Sequence, residues 1–343
     1  MTRNRLKWIC LAAMAISAPL VFTLALSIGA VRVPVDEIAA ILLGQANDSL
    51  KEAVIWNIRL PRVLLGLLTG AALAVSGAAL QGLFRNPLAD PGIIGIANGA
   101  ALAAAATIVF GSLVFHLIPR NLIPLALPAG AFGGGLITTM LIYRLSWHEG
   151  RTVAATLLLA GIAISALTAA ATGLFTYLAT DEQMRTLVFW TLGSLGGASW
   201  TSCLLAAICV VPALFFLLKE SRALNAMLLG EAEAGFLGFN PEQTKTRVVI
   251  ASALAVGGSV AFCGVIGFVG LVVPHLVRLL AGADHRFLIP GSALLGASLL
   301  TAADIGARTL AAPAELPIGI LTALIGAPLF LWLLLKQRAA FAG

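Results

Sequence analysis

Arg59-Leu60-Pro61-Arg62, the apolar run from Val63 to Phe84, and Arg85-Asn86-Pro87-Leu88-Ala89-Asp90-Pro91-Gly92 decide the fold of this chain. The run carries no charge and exceeds the roughly 20 residues a helix needs to cross a bilayer. Gly66, Gly70, Ala71, Ala72, Ala74, Gly77, Ala78 and Ala79 crowd it. Small residues of this kind let helices approach one another closely in a membrane. Two arginines precede the run. The prolines behind it fix a stiff turn where the helix must end. Both flanks are therefore expected to meet something outside the hydrocarbon.

The same reading extends along the chain. Of 343 residues, 60% are hydrophobic and 10% charged, against roughly 25% charged in a soluble domain. The apolar runs are solid rather than alternating, which selects α-helices over a membrane barrel. The net charge of +6 is divided between membrane faces and is not read as nucleic-acid binding. Cys10, Cys203, Cys209 and Cys263 lie in apolar segments without metal-type spacing, so no metal site is expected. The run from Trp8 to Ala30 is longer than a signal-peptide core and reads as a span.

Ten spans are drawn: 8–30, 60–84, 93–113, 121–143, 153–178, 199–218, 247–266, 268–282, 287–306 and 316–335. The eighth is too short to cross alone as a straight helix. A short surface helix is expected over about 183–196. With a cytoplasmic N-terminus, fourteen Lys and Arg fall inside and seven outside. The positive-inside rule favours that orientation, with both termini cytoplasmic. No Asp, Glu, Lys or Arg sits near the middle of a span; Asp304 and Glu315 come closest, beside outer helix ends. Ion-coupled carriers usually place ionisable groups at the midplane, so the chain is expected to be a passive pore or to take its energy from another subunit. No G-x-x-x-x-G-K-[ST] phosphate loop occurs, and no catalytic constellation lies inside the spans. The chain is expected not to be an enzyme.

Several spaced motifs follow in order: Arg59-Leu-Pro-Arg62, Asn86-Pro-Leu-Ala-Asp-Pro-Gly92, Gly264-Val-Ile-Gly-Phe-Val-Gly-Leu-Val-Val-Pro-His-Leu-Val-Arg278, Asp284-His-Arg286, Ala303-Asp-Ile-Gly-Ala-Arg308, Glu315-Leu-Pro-Ile-Gly319 and Gly326-Ala-Pro-Leu-Phe330. Together they resemble the permease subunits of ATP-driven importers for iron-siderophores, haem and cobalamin. The resemblance covers the chain from about residue 30. It implies an all-α polytopic fold of about ten transmembrane helices, the type II ABC importer permease fold, forming one domain over 1–343. It also implies a homodimer or a pair of homologues, two separate ABC ATPase subunits that bind the ATP, a periplasmic substrate-binding protein, and residence in the bacterial inner membrane, the homodimer being the expectation for this chain. No nucleic acid and no permanently bound cofactor are implied.

The resemblance assigns roles to named residues. Arg59, Arg62 and Arg308 are expected at the outer surface, where a guanidinium fork can receive acidic residues of the binding protein. Plain interfacial anchoring is the competing reading. Within the cytoplasmic segment 219–246, Leu228, Leu229, Gly230, Glu231, Glu233, Gly235, Phe236, Gly238 and Phe239 fit two short helices joined by a glycine turn. Such a pair would couple to the ATPase, with Glu231 and Glu233 facing basic groups and the phenylalanines as buried anchors. Arg185, with Phe189 and Trp190, is expected at the outer mouth of the pathway. There a symmetric pair of arginines would receive two carboxylates, such as haem propionates, beside aromatic rings. A salt bridge from Arg185 to Asp181 or Glu182 is the alternative. The expected cargo is haem, with ferric siderophore or cobalamin as the alternatives. His275 is expected as a hydrogen-bonded structural residue, and His116, His148 and His285 on surface loops.

Overall fold

The computed structural model describes residues 3–45 and 48–341. The side chains of Arg3, Lys336 and Arg338, counted above among the cytoplasmic cations, lie outside the described residues. The helices in chain order are α1 (Arg3–Ser27), α2 (Val35–Leu42), α3 (Ser49–Ala53), α4 (Leu60–Leu83), α5 (Ile96–Val114), α6 (Ile123–Leu145), α7 (Ala154–Leu178) and α8 (Asp181–Thr191). They continue as α9 (Trp200–Lys219), α10 (Ser221–Met227), α11 (Glu231–Phe236), α12 (Pro241–Cys263), α13 (Val269–Ala281), α14 (His285–Thr309) and α15 (Ile318–Phe341).

Ten of these correspond to the ten drawn spans. Among the described residues, eight helical stretches are long and apolar enough to cross a membrane. Val269–Ala281 and Ile318–Trp332 are shorter apolar helices. The weakest boundary, between spans seven and eight, is a break at 264–268. Gly264 and Phe268 both take positive φ there, at 69° and 67°. The short surface helix exists as α8, held by a capping box between Thr180 and Gln183.

α4 is the centre of the bundle, with most of its surface buried. It packs against α14, α12, α13 and α9. The small residues explain why. A Cβ on Gly70 would overlap the carbonyl of Gly296 on α14, so the two backbones touch where neither carries a side chain. A six-residue π-helical turn, Val54–Arg59, joins α3 to α4 without a break. Such widened turns shift the helical register and are common at functional positions. α5 packs on α6 and α7, and α1 lies along α14.

The proline turn reads as expected. Asp90 accepts from Gly92 N–H at 2.7 Å and opens a 3-10 turn, Pro91–Ile94. Between α6 and α7 a two-stranded hairpin pairs β1 (Trp147–His148) with β2 (Arg151–Thr152). Its tip residues, Glu149 and Gly150, have φ of 48° and 80°. Two positive values at a two-residue loop match the twist that antiparallel strands need.

Candidate functional site

At one end of the bundle, three arginines gather, and their surroundings correct the expectation of exposed forks. Arg59 and Arg62 are only 4% and 6% exposed. Arg62 Nε donates to both oxygens of Asp304 at 3.0 Å, and Nη2 donates to Oδ1 at 2.9 Å. Its Nη1 donates to both oxygens of Glu315 at 2.8 and 3.0 Å. Arg59 donates to the carbonyls of Leu26 and Val31, and to that of Ser27 at 3.1 Å. Arg308 donates to Ala25 O at 2.6 Å, and its Nε lies 3.7 Å from Asp304.

The physical reason is plain. A guanidinium loses its hydration on burial and must be repaid by acceptors. The carbonyls freed at the C-terminal end of α1 and the two carboxylates of α14 and its following loop supply them. The three arginines bind the ends of α1, α4, α14 and α15 into one cluster. Glu315 remains half-exposed and is the part of the cluster that faces outward.

The cluster touches the segment behind α8. Gly196 lies against Glu315 and Arg62. Ser194 N–H donates to Cys263 O at 2.8 Å, Ile318 N–H to Gly193 O at 3.0 Å, and Gly319 N–H to Leu192 O at 3.0 Å. The residues after α8 are thus stitched between the end of α12 and the start of α15. On α8 itself Arg185 is exposed. It forms no ion pair among the described residues, so the bridge to Asp181 or Glu182 is not made. Phe189 is 56% exposed, while Trp190 packs against the core. One expected aromatic therefore stands free and the other is structural.

At the opposite end, α10 and α11 are two short helices joined through Gly230, at φ 140°. Leu229 and Phe236 are 68% and 91% exposed, and Leu228 and Leu237 are exposed beside them. Phe239 instead packs against the core. Gly238 takes φ 85° and closes α11. Gly235 and Glu233 are exposed.

Glu231, expected to face basic groups of a partner, already holds one within the chain. Lys245, buried on α12, donates to Glu231 at 2.7 Å, to Glu242 at 2.8 Å and to Thr152 O at 2.9 Å. Thr152 N–H in turn donates to Glu242 at 2.8 Å. One ammonium thus ties α11, the first turn of α12 and the hairpin between α6 and α7. Sequence reasoning missed Lys245. Its signal was Glu242, three residues earlier on the same helix face.

Two histidines also differ from expectation. His285 is 1% exposed rather than on a surface loop; its Nδ1 lies 2.9 Å from Asn225 Oδ1 on α10. His275 is buried, but neither ring nitrogen has a hydrogen-bond partner. Among the described residues no cluster of His, Cys, Asp and Glu could hold a metal ion.

Residues 17–336 match the family model described as the FecCD transport family. The hemin transport system permease protein of Yersinia pestis is 52% identical over 301 residues, covering 87% of this chain and 88% of that one. The vitamin B12 import system permease protein of Escherichia coli O9:H4 is 44% identical over 287 residues, covering 84% and 85%. A solved structure of an inward-facing metal-chelate type ABC transporter superposes with a TM-score of 0.83 at 35% identity. It covers 95% of this chain and 98% of that one.

Proposed function

The chain belongs to the FecCD transport family and is an ABC importer permease rather than an enzyme, and on that footing we propose that its cargo is haem. The cargo passes from periplasm to cytoplasm along the axis of a homodimer in the inner membrane, with both termini cytoplasmic. The observation that carries the choice of haem is Arg185, exposed and unpaired on α8 beside the exposed ring of Phe189. Two such arginines facing across a dimer axis suit a flat dicarboxylate. Guanidinium–carboxylate pairs combine charge with a matched planar geometry. The likeness to a hemin permease supports the same reading.

Affinity belongs to a periplasmic binding protein and energy to two ATPase subunits, which this chain meets at opposite ends. The α10–α11 pair presents Leu228, Leu229 and Phe236 as the apolar anchors of the ATPase contact. Arg59, Arg62 and Arg308 serve binding-protein docking by holding the outer helix ends in register.

Uptake into proteoliposomes containing the complete importer tests the cargo. Arg185→Ala should impair haem uptake several-fold with ATP hydrolysis retained. Wild-type haem uptake by this variant removes the reason for preferring haem. A ferric siderophore or cobalamin, offered in the same assay, identifies the alternative.

A further inference from the structure

A groove between α6 and α12 has no place in the translocation reading. It encloses about 440 Å3, within the roughly 300–1,000 Å3 of small-ligand pockets. Leu136, Met140 and Tyr143 of α6 face Val249, Ile250 and Leu254 of α12 across it. From Leu136 to Tyr143 it follows the last two turns of α6, about 10 Å at 1.5 Å per residue. It lies within the apolar stretches of both helices, where hydrocarbon is the solvent.

One end is chemically different. Arg144 sits one turn beyond Met140 on α6, and Arg247 one turn before Ile250 on α12. Residues four and three apart share a helix face. Both arginines are exposed. Arg144 has no acid partner among the described residues. Arg247 makes a 3.3 Å contact with Glu220 and keeps a side chain 59% exposed. Trp147 stands half-exposed at the same end, with its ring 6.3 Å from that of Tyr143. An indole and basic side chains together mark a headgroup level.

We infer that this groove is a binding site for one anionic phospholipid, its acyl chain between α6 and α12 and its phosphate against Arg144 and Arg247. A second copy of this chain suits the groove poorly: a two-fold contact through it would bring the arginines of both copies together. A soluble partner does not reach this depth. The polar edge of the groove belongs to the network around Lys245. The Tyr143 and Thr246 hydroxyls lie 2.7 Å apart, and Thr152 Oγ1 donates to Tyr143 at 3.2 Å. An occupied groove therefore borders the residues that fix α11.

Native mass spectrometry of the purified permease with equimolar phosphatidylglycerol and phosphatidylcholine reads the site. The wild type should retain phosphatidylglycerol preferentially. The double variant Arg144→Gln/Arg247→Gln should lose that preference by about tenfold, the scale of one or two basic side chains at an anionic surface. Arg144→Lys/Arg247→Lys should restore it. Equal retention of the two lipids by the wild type, or an undiminished preference in the glutamine variant, overturns the assignment. Phosphatidylglycerol with a photoreactive group in its acyl chain tests the wild type directly. Labelling at Met140 or Ile250 supports the groove, and labelling confined to other helices overturns it.

Discussion

Lys245 Nζ lies 2.7 Å from Glu231 Oε2, and this contact fastens the short helix α11 to the long helix α12. The ammonium is almost wholly buried, while Glu231 is partly exposed. A carboxylate expected to face a partner is therefore spent in fixing the angle at which α11 leaves the bundle. The same ammonium reaches Glu242 and Thr152 O, so α11, α12 and the α6–α7 hairpin share one buried cation.

Lys245→Met should free Glu231 and leave Glu242 bonded only to Thr152. Truncating one member of a buried ion pair costs about 3–5 kcal/mol, which the partial exposure of both carboxylates reduces here. Hydrogen exchange in residues 229–238 should rise, while α14 keeps its protection. In the assembled importer, ATP hydrolysis should persist with transport strongly reduced. Unchanged exchange and wild-type transport would show that the knot transmits nothing.

Arg62→Gln should destabilise the permease, by less than the roughly 3–5 kcal/mol of a fully broken buried ion pair, because Asp304 then keeps only the 3.7 Å contact with Arg308. Asp304→Asn in the same chain should recover part of the loss, since it removes that charge. Thermal unfolding in detergent measures both. Equal stability of wild type and Arg62→Gln would return this arginine to the role of a free surface fork.

Gly70→Ala and Gly133→Ala make a matched pair. A methyl group at Gly70 overlaps Gly296 O, whereas one at Gly133 meets nothing within 4 Å. The first should lower stability by about 1–3 kcal/mol through overpacking. The second should be neutral or slightly stabilising, since alanine is the better helix former. Thermal melts that rank the two variants in the opposite order would contradict the close approach of α4 and α14.

Gly230→Ala should strain the link between α10 and α11. A φ of 140° is open to glycine and costs another residue on the order of 1–3 kcal/mol. The added Cβ would also collide with the Glu233 carboxylate. ATPase stimulation by the binding protein should fall with the permease still assembling as a dimer. Normal stimulation would show that α11 tolerates reorientation.

The spans were legible because a lipid-facing helix leaves a long apolar record that neighbours cannot disguise. The central place of α4 was legible in Gly70 and Gly77, since only close packing rewards so many small residues. The glycine-broken pair α10–α11 was visible for the same kind of reason: Gly230 and Gly238 punctuate a mixed apolar and acidic run. Pairings were not legible. Arg62 lies 242 residues from Asp304, and nothing local in either segment states that the other will neutralise it. Burial of Arg59 depends on carbonyls at the end of α1, which carry no side-chain signature. His285 looked exposed beside Asp284 and Arg286, yet α10 covers it through Asn225. The site was read best where one segment contains it, and worst where distant helix ends meet.

Haem accumulation in proteoliposomes holding this permease, its ATPase and its binding protein tests the central claim most directly. The account predicts uptake of haem that needs ATP, the ATPase and the binding protein together, and that falls with Arg185→Ala. Uptake driven by an ion gradient without the ATPase, or a complete importer that carries cobalamin or a ferric siderophore but leaves haem outside, would contradict it.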